Sequence, residues 1–174
     1  MKQKIKETNL RKYGTESAMQ NHDVRVRAQM RYTFDNRHFD SLPEIALYVW
    51  LKDHNEQFEY QPDVKFEFVH EDVTHFYHPD FKISNELYEL KGCQFFKNKD
   101  VMTNIMVNPY DHSFNALYEA KHQCMLKNGV KILSDNDYKM YLDYLKKKFT
   151  PEQIKSFRNV KNDGEAAAEE RSDA

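Results

Sequence analysis

The segment Phe76–Gln94 constrains the fold most, because its pattern predicts two short strands joined by a tight turn. Apolar and polar residues alternate on both sides of Ser84-Asn85, and that dipeptide is typical of a turn. If these two residues form the loop, Ile83 pairs with Glu86, and this pairing fixes the register of the whole hairpin.

Asp80, Glu89 and Lys91 are expected to share one face of this hairpin. Counting outward from the turn places Asp80 opposite Glu89, with Lys91 two residues further along. Opposed side chains have Cβ atoms about 5 Å apart, so two bare carboxylates would repel by about 3 kcal/mol at an effective dielectric of about 20. A hard divalent cation such as Mg²⁺ relieves this repulsion and keeps positions open for a phosphate. A neighbouring ammonium could hold the attacking nucleophile or offset phosphoryl charge.

Other interpretations of these residues stay open. Glu89 and Lys91 could form an exposed ion pair worth under about 1 kcal/mol. Pro62-Asp63 could reach Glu89 through a longer loop, and Asp80 is preferred because the short hairpin fixes its register. The similar triplet Glu119-Ala120-Lys121 lies in a helical pattern, where residues two apart cannot share a site.

Pro79-Asp80 followed by Glu89-Leu90-Lys91, with a glutamate-bearing helix upstream, resembles the PD-(D/E)XK nuclease superfamily. The resemblance covers roughly Phe39 to Leu133 and extends to phage-encoded endonucleases similar to very-short-patch repair enzymes. It implies an α/β (α+β) fold with a restriction-endonuclease-like core. In that core a helix is followed by a three-stranded antiparallel meander, a second helix and a further strand.

The resemblance also implies an activity, the Mg²⁺-dependent hydrolysis of phosphodiester bonds in DNA, with Mn²⁺ as a substitute ion. Asp80, Glu89 and the Leu90 carbonyl would hold the metal, Glu44 would assist, and Lys91 would position the attacking water. The alternative is a DNA-binding or structural phage protein that keeps the nuclease fold without the chemistry. A homodimer is left open.

Glu44 belongs to a predicted helix start, Ser41-Leu42-Pro43-Glu44, which combines a capping serine, an early proline and an acid. The helix is expected to run to about Asn55 and to be buried, because apolar residues cover nearly all its faces. A capping-box glutamate satisfies a backbone N–H and needs no catalytic role. Only its place in the family pattern makes Glu44 a candidate third carboxylate.

A second helix is expected over residues 112–128, closed by Gly129. Lys121 falls in the middle of its apolar face, which is unusual for a lysine. Its amine could extend to water. In the fold that the resemblance implies, this face lies over the strands bearing Glu89 and Lys91, so Lys121 could reach a bound phosphate.

The first 38 residues are basic. They carry nine lysines and arginines against four acids, so they have a charge of +5 within a chain whose net charge is −2. Two short basic helices are predicted there, and DNA contact is favoured over a leader that only aids solubility. The cations expected to bind DNA are Lys6, Arg11, Lys12, Arg25, Arg27 and Arg31, together with Lys97 and Lys99 in the core.

The sequence therefore divides into a basic arm (1–38), a nuclease core (39–134), C-terminal helices (135–161) and a disordered acidic tail (162–174). Within the core, one long strand is expected from Phe58 to Phe68, with Pro62 at an edge or bulge. No apolar run is long enough to span a membrane or form a signal peptide. A cytoplasmic protein is expected, in the host cell if a phage encodes it.

Overall fold

A computed structural model describes residues 2–13, 31–101 and 104–159 of the protein. The described helices are α1 (Lys2–Tyr13), α2 (Leu42–Asp53), α3 (Asn115–Lys127), α4 (Asp135–Lys148) and α5 (Pro151–Ser156). The described strands are β1 (Tyr32–Phe34), β2 (Arg37–Phe39), β3 (Phe58–Tyr60), β4 (Phe66–His70), β5 (Val73–Tyr77), β6 (Phe81–Ile83), β7 (Glu86–Leu90) and β8 (Lys131–Leu133). No helix within these ranges is both long and apolar enough to cross a membrane.

The chain forms two compact units, Met1–Leu42 with Phe149–Ala174 and, separately, Pro43–Lys148. In the first unit, β1 and β2 form an antiparallel hairpin, and Phe34 packs its ring against Phe149 and Phe157. Helix α5 begins at Pro151, and Thr150 and Gln153 form its capping box. The second predicted basic helix and the acidic tail lie outside the described residues.

The second unit is built on a four-stranded sheet in the order β3-β6-β7-β8. β6 pairs antiparallel with both β3 and β7, whereas β7 and β8 are parallel. Parallel neighbours need a crossover connection, and α3 lies in the segment that joins β7 to β8. The protein is thus of the mixed α+β class, as the sequence predicted.

The single long strand predicted from Phe58 to Phe68 is wrong. β3 ends at Tyr60, because Gln61 has a positive φ of 49° and Val64 donates to the Pro62 carbonyl in a turn. β4 then pairs with β5 in a separate two-stranded sheet. The alternation of apolar residues continues across the break, but Pro62 offers no N–H to a ladder, so the chain can leave the sheet there.

The predicted helices are confirmed in the second unit. α2 is buried along most of its length, including Ile45, Leu47 and Leu51. A second apolar cluster joins β5 to α3 and to the start of β8; its buried members are Tyr77, Met106, Cys124, Met125 and Val130.

Candidate active site

The hairpin of β6 and β7 has the predicted register. Ile83 pairs with Glu86 across the Ser84-Asn85 loop, and the ladder continues outward to Phe81. Asp80 follows directly, and it is held beside β7 by two hydrogen bonds. Its N–H donates to the Tyr88 carbonyl at 3.0 Å, while its Oδ2 accepts the Leu90 N–H at 2.8 Å.

Glu89 is the centre of the cluster and is only 1% exposed. Its Oε1 lies 3.0 Å from the Lys91 amine and 3.6 Å from the Lys121 amine. Its Oε2 accepts a hydrogen bond of 2.9 Å from the Tyr77 hydroxyl. Burial by itself would raise the pKa of Glu89, but the two ammonium groups outweigh it and lower that pKa, so Glu89 is ionised at neutral pH.

The pKa of Asp80 is shifted in the opposite direction from that of Glu89. Burial raises its pKa well above the usual range, and the negative charges of Glu89 and Glu44 raise it further. Lys91 opposes this shift only in part. The site therefore holds Asp80 in an environment that penalises its charge, and a cation bound beside it would remove that penalty.

The pKa values of Lys91 and Lys121 are also shifted in opposite directions. Burial disfavours the charge of Lys91, but the carboxylates of Glu89 and Asp80 outweigh it and raise the Lys91 pKa. Burial dominates at Lys121 and lowers its pKa, with Glu89 opposing the shift. Lys91 is thus the firmly protonated ammonium of the pair.

Glu44 reaches the cluster from the first turn of α2. It is 6% exposed, and its Oε2 accepts a hydrogen bond of 2.9 Å from the Tyr60 hydroxyl. Its charge contributes to the raised pKa of both Asp80 and Lys91. The structure therefore brings together the five residues that the sequence proposed as catalytic: Glu44, Asp80, Glu89, Lys91 and Lys121.

With all five groups charged, three carboxylates face two ammonium groups, so one negative charge is left over. Among the described residues, no group of three or more His, Cys, Asp or Glu side chains is arranged to hold a metal ion. Carboxylate and carbonyl oxygens are, however, the kind of donor that Mg²⁺ takes, together with water and phosphate oxygens.

Sequence reasoning missed the tyrosines that hold the two glutamates. Tyr77 comes from β5 and Tyr60 from the end of β3, and each donates its hydroxyl to one glutamate oxygen. The Tyr77 ring also lies 5.1 Å from the Lys121 amine. A buried tyrosine usually needs a partner for its hydroxyl, but the sequence does not show which acid that partner is.

The remaining predicted residues lie elsewhere. Asp63, the alternative to Asp80, is exposed in the turn after β3. Lys97 and Lys99 are exposed in the same unit as the site, on a short 3₁₀ turn. In the first unit, α1 carries the exposed Lys6, Arg11 and Lys12, and Arg31 is exposed before β1. Arg25 and Arg27 fall outside the described residues.

In comparisons with protein-family models, curated proteins and solved structures, nothing matches this chain. The function has to be inferred from the residues of the site.

Proposed function

We propose that this protein is a Mg²⁺-dependent endonuclease that hydrolyses phosphodiester bonds in DNA and belongs to the PD-(D/E)XK class. The observation that carries the proposal is the contact of one buried Glu89 oxygen with both Lys91 and Lys121, at 3.0 and 3.6 Å. Lysines and acids are rarely buried unless they are paired, and groups whose pKa is strongly shifted, as that of Asp80 is, cluster at functional sites.

The order of elements in the second unit supports a restriction-endonuclease-like core. A buried helix, α2, precedes three antiparallel strands, and α3 then leads to the parallel strand β8. The hairpin of β4 and β5 is inserted between the first two of those strands. The candidate residues come from the start of α2, from both sides of the β6–β7 hairpin and from α3.

The donor chemistry fits Mg²⁺ or Mn²⁺. Asp80, Glu89 and the Leu90 carbonyl would hold the ion, with Glu44 adjacent, and these donors are oxygen atoms, which hard divalent cations prefer. When bound, such an ion acts as a Lewis acid toward phosphate and lowers the pKa of water.

Lys91 is proposed to hold and orient the attacking water. Its raised pKa keeps it an ammonium at neutral pH, so it acts as a hydrogen-bond donor and not as a general base. Lys121 approaches the same Glu89 oxygen from α3. Its charge is proposed to offset the charge that builds up on the phosphoryl oxygens in the transition state.

A second candidate function is a DNA-binding or structural protein in which this cluster is only a buried ion network. The observation that favours it is the saturation of Glu89, whose two oxygens already have three protein partners. Such networks can serve conformational specificity without catalysis. A protein of this kind would bind DNA equally well with and without Mg²⁺ and would not cut it.

The test is a cleavage assay on supercoiled, linear and branched DNA, with Mg²⁺, Mn²⁺ or chelator. Glu89→Gln should abolish cleavage, because it removes a ligand charge at almost constant volume. Glu86→Gln is the matched control, since Glu86 lies on the same strand and pairs with Lys131 at the exposed surface. Absence of cleavage by the wild type on all three substrates, or full activity of Glu89→Gln, would contradict the proposal.

A further inference from the structure

The loop after β7 leads from the cluster of charged residues to an exposed aromatic side chain. The Phe95 ring lies 5.4 Å from the Lys91 amine, and the Tyr110 ring meets Phe95 edge-on, with the two ring centroids 6.1 Å apart. Phe95 is half-buried, whereas Tyr110 is 81% exposed. An aromatic surface therefore extends from the Lys91 ammonium outward to solvent.

Phe95 is held in place by its backbone and by its side chain. Its N–H donates to the Gly92 carbonyl at 3.0 Å, and its carbonyl accepts the Val107 N–H at 2.8 Å. Its ring packs against the buried apolar cluster that includes Met106 and Met125. The ring is thus a fixed support between Lys91 and Tyr110.

Tyr110 is presented by a turn with its own hydrogen bonds. The Asn108 Oδ1 accepts the N–H groups of Tyr110 and Asp111, at 2.9 and 3.1 Å, and the Asn108 N–H donates to the Asn115 side chain at 3.0 Å. Pro109 has a fixed φ angle within this turn. A single exposed aromatic residue is common on protein surfaces, but this one is preorganised and is linked through Phe95 to a cation that the proposed reaction uses.

A ligand that meets both Lys91 and Tyr110 carries an anion and a flat ring. In DNA these groups are a phosphate and the base of the same or the neighbouring nucleotide. Proteins bind single-stranded nucleic acid by stacking its bases on aromatic side chains beside a positively charged path for the backbone. Lys97 and Lys99 are exposed on the same loop and supply positive charge for such a path.

Base pairing decides whether a base can reach Tyr110. Within a duplex each base is stacked between its neighbours, and taking it out of the stack costs free energy, least where the strand is already single. The exposed ring therefore favours DNA whose bases are unpaired near the bound phosphate.

We propose that Phe95 and Tyr110 form a stacking platform for an unpaired nucleobase, and that the substrate is DNA with a single-stranded segment next to the cleaved phosphate. This inference rests on the nuclease function proposed above and specifies its substrate class. Tyr110 contributes the face on which the base stacks, and Phe95 holds that ring at a set distance from Lys91.

The test is fluorescence anisotropy of the full chain with a labelled single-stranded oligonucleotide and with the matching duplex, both in chelator. Tyr110→Ala should weaken binding of the single strand by about 5- to 150-fold, the range for loss of one base–aromatic stack, and leave duplex binding unchanged. Tyr110→Phe keeps the ring and should bind both as the wild type does. Phe76→Ala is the control, because Phe76 is another exposed aromatic residue beside a lysine, Lys65, but lies on β5.

Equal affinity of the wild type and Tyr110→Ala for the single strand overturns the inference, and so does an equal loss in Tyr110→Phe or for the duplex. A second measurement compares cleavage rates, with Mg²⁺, of a duplex that contains a single-stranded gap and of a fully paired duplex. The wild type should cut the gapped DNA faster, and Tyr110→Ala should lose that preference.

The two measurements separate this inference from the proposed function. A wild type that cuts both DNAs at the same rate would refute the platform and leave the nuclease proposal standing. Tyr110-dependent binding of the single strand, without cleavage of any DNA, would instead remove the nuclease function while the stacking role of Tyr110 would stand.

Discussion

Asp80 lies in an environment that disfavours its charge. It is partly buried beside two other carboxylates, and its pKa is raised well above the ordinary 3.8. Because the folded state binds a proton that the unfolded chain has already released, ionising Asp80 costs stability. This cost is absent below pH 3.8 and grows as the pH rises through the raised pKa of the folded state.

Asp80→Asn should therefore stabilise the metal-free protein at pH 8 by a few degrees in Tm, as about 1 kcal/mol shifts a chain of this size by about 2–4 °C. The gain should shrink as the pH is lowered and vanish near pH 3.5. Differential scanning fluorimetry across this range measures it. Adding Mg²⁺ should raise the Tm of the wild type and leave that of the variant unchanged. A variant less stable than the wild type at pH 8 would show that the charge of Asp80 is compensated by partners within the fold.

Lys121→Met should lower kcat by about 10- to 1,000-fold, the usual range for loss of one charged stabiliser of a transition state. Methionine keeps the stem of the side chain, so the Tm should change little. Lys131→Met is the matched control, because Lys131 is also paired with a glutamate but at the exposed surface. If Lys121→Met and Lys131→Met have the same kcat, the role of Lys121 is structural.

At the scale of elements, the two-residue loop of the β6–β7 hairpin sets the geometry of the site. Ser84 has a positive φ of 53°, which a tight loop requires, and the ladder that starts at Ile83 leads directly to Asp80. A change of one residue in that loop would move the register of one strand against the other, and each side chain would change faces.

Insertion of one glycine between Ser84 and Asn85 should therefore abolish cleavage and the Mg²⁺-dependent rise in Tm. The same insertion between Asp35 and Asn36 is the control, since that turn also has positive φ angles and joins β1 to β2 in the other unit. Cleavage assays and melting curves with and without Mg²⁺ compare the two. An active protein with the longer β6–β7 loop would contradict the dependence of the site on this register.

At the scale of the whole molecule, the basic residues at the start of the chain fall in a different unit from the proposed active site. The predicted arm of residues 1–38 includes β1 and part of β2, and β1 contributes Phe34 to the aromatic packing of the first unit. Removing the whole arm would damage that unit, so its role in DNA binding is better tested by changing charges.

Replacing Lys6, Arg11 and Lys12 with glutamine should weaken DNA binding and reduce the slope of log K against log salt by about 2–3, since each lost phosphate contact removes about 0.9. The matched control replaces Lys139, Lys146 and Lys147, three exposed lysines of α4, and should leave the slope unchanged. Fluorescence anisotropy on a short duplex at several salt concentrations measures both. Identical slopes for the two triple variants would make α1 a leader without a DNA contact.

The sequence by itself determined the features that depend on neighbours along the chain. The Ser84-Asn85 turn and the alternation around it predicted the register that brings Asp80 to Glu89. Helical periodicity placed Lys121 on the apolar side of α3, where its amine does reach Glu89. These two features depend only on nearby residues. The turn fixes which residues of the hairpin face each other, and the helical period of 3.6 residues fixes which side chains share a face of the helix.

Only the tertiary structure decided how distant segments complete the site. Alternation could not show that the chain leaves the sheet after Tyr60, because the pattern continues through β4. The resulting β4–β5 hairpin places Tyr77 where its hydroxyl donates to Glu89. Tyr60 lies at the end of β3, and its hydroxyl donates to Glu44. The opposite pKa shifts of Asp80 and Glu89 follow from burial and from charges on several elements, and those distances exist only once the strands and helices have packed.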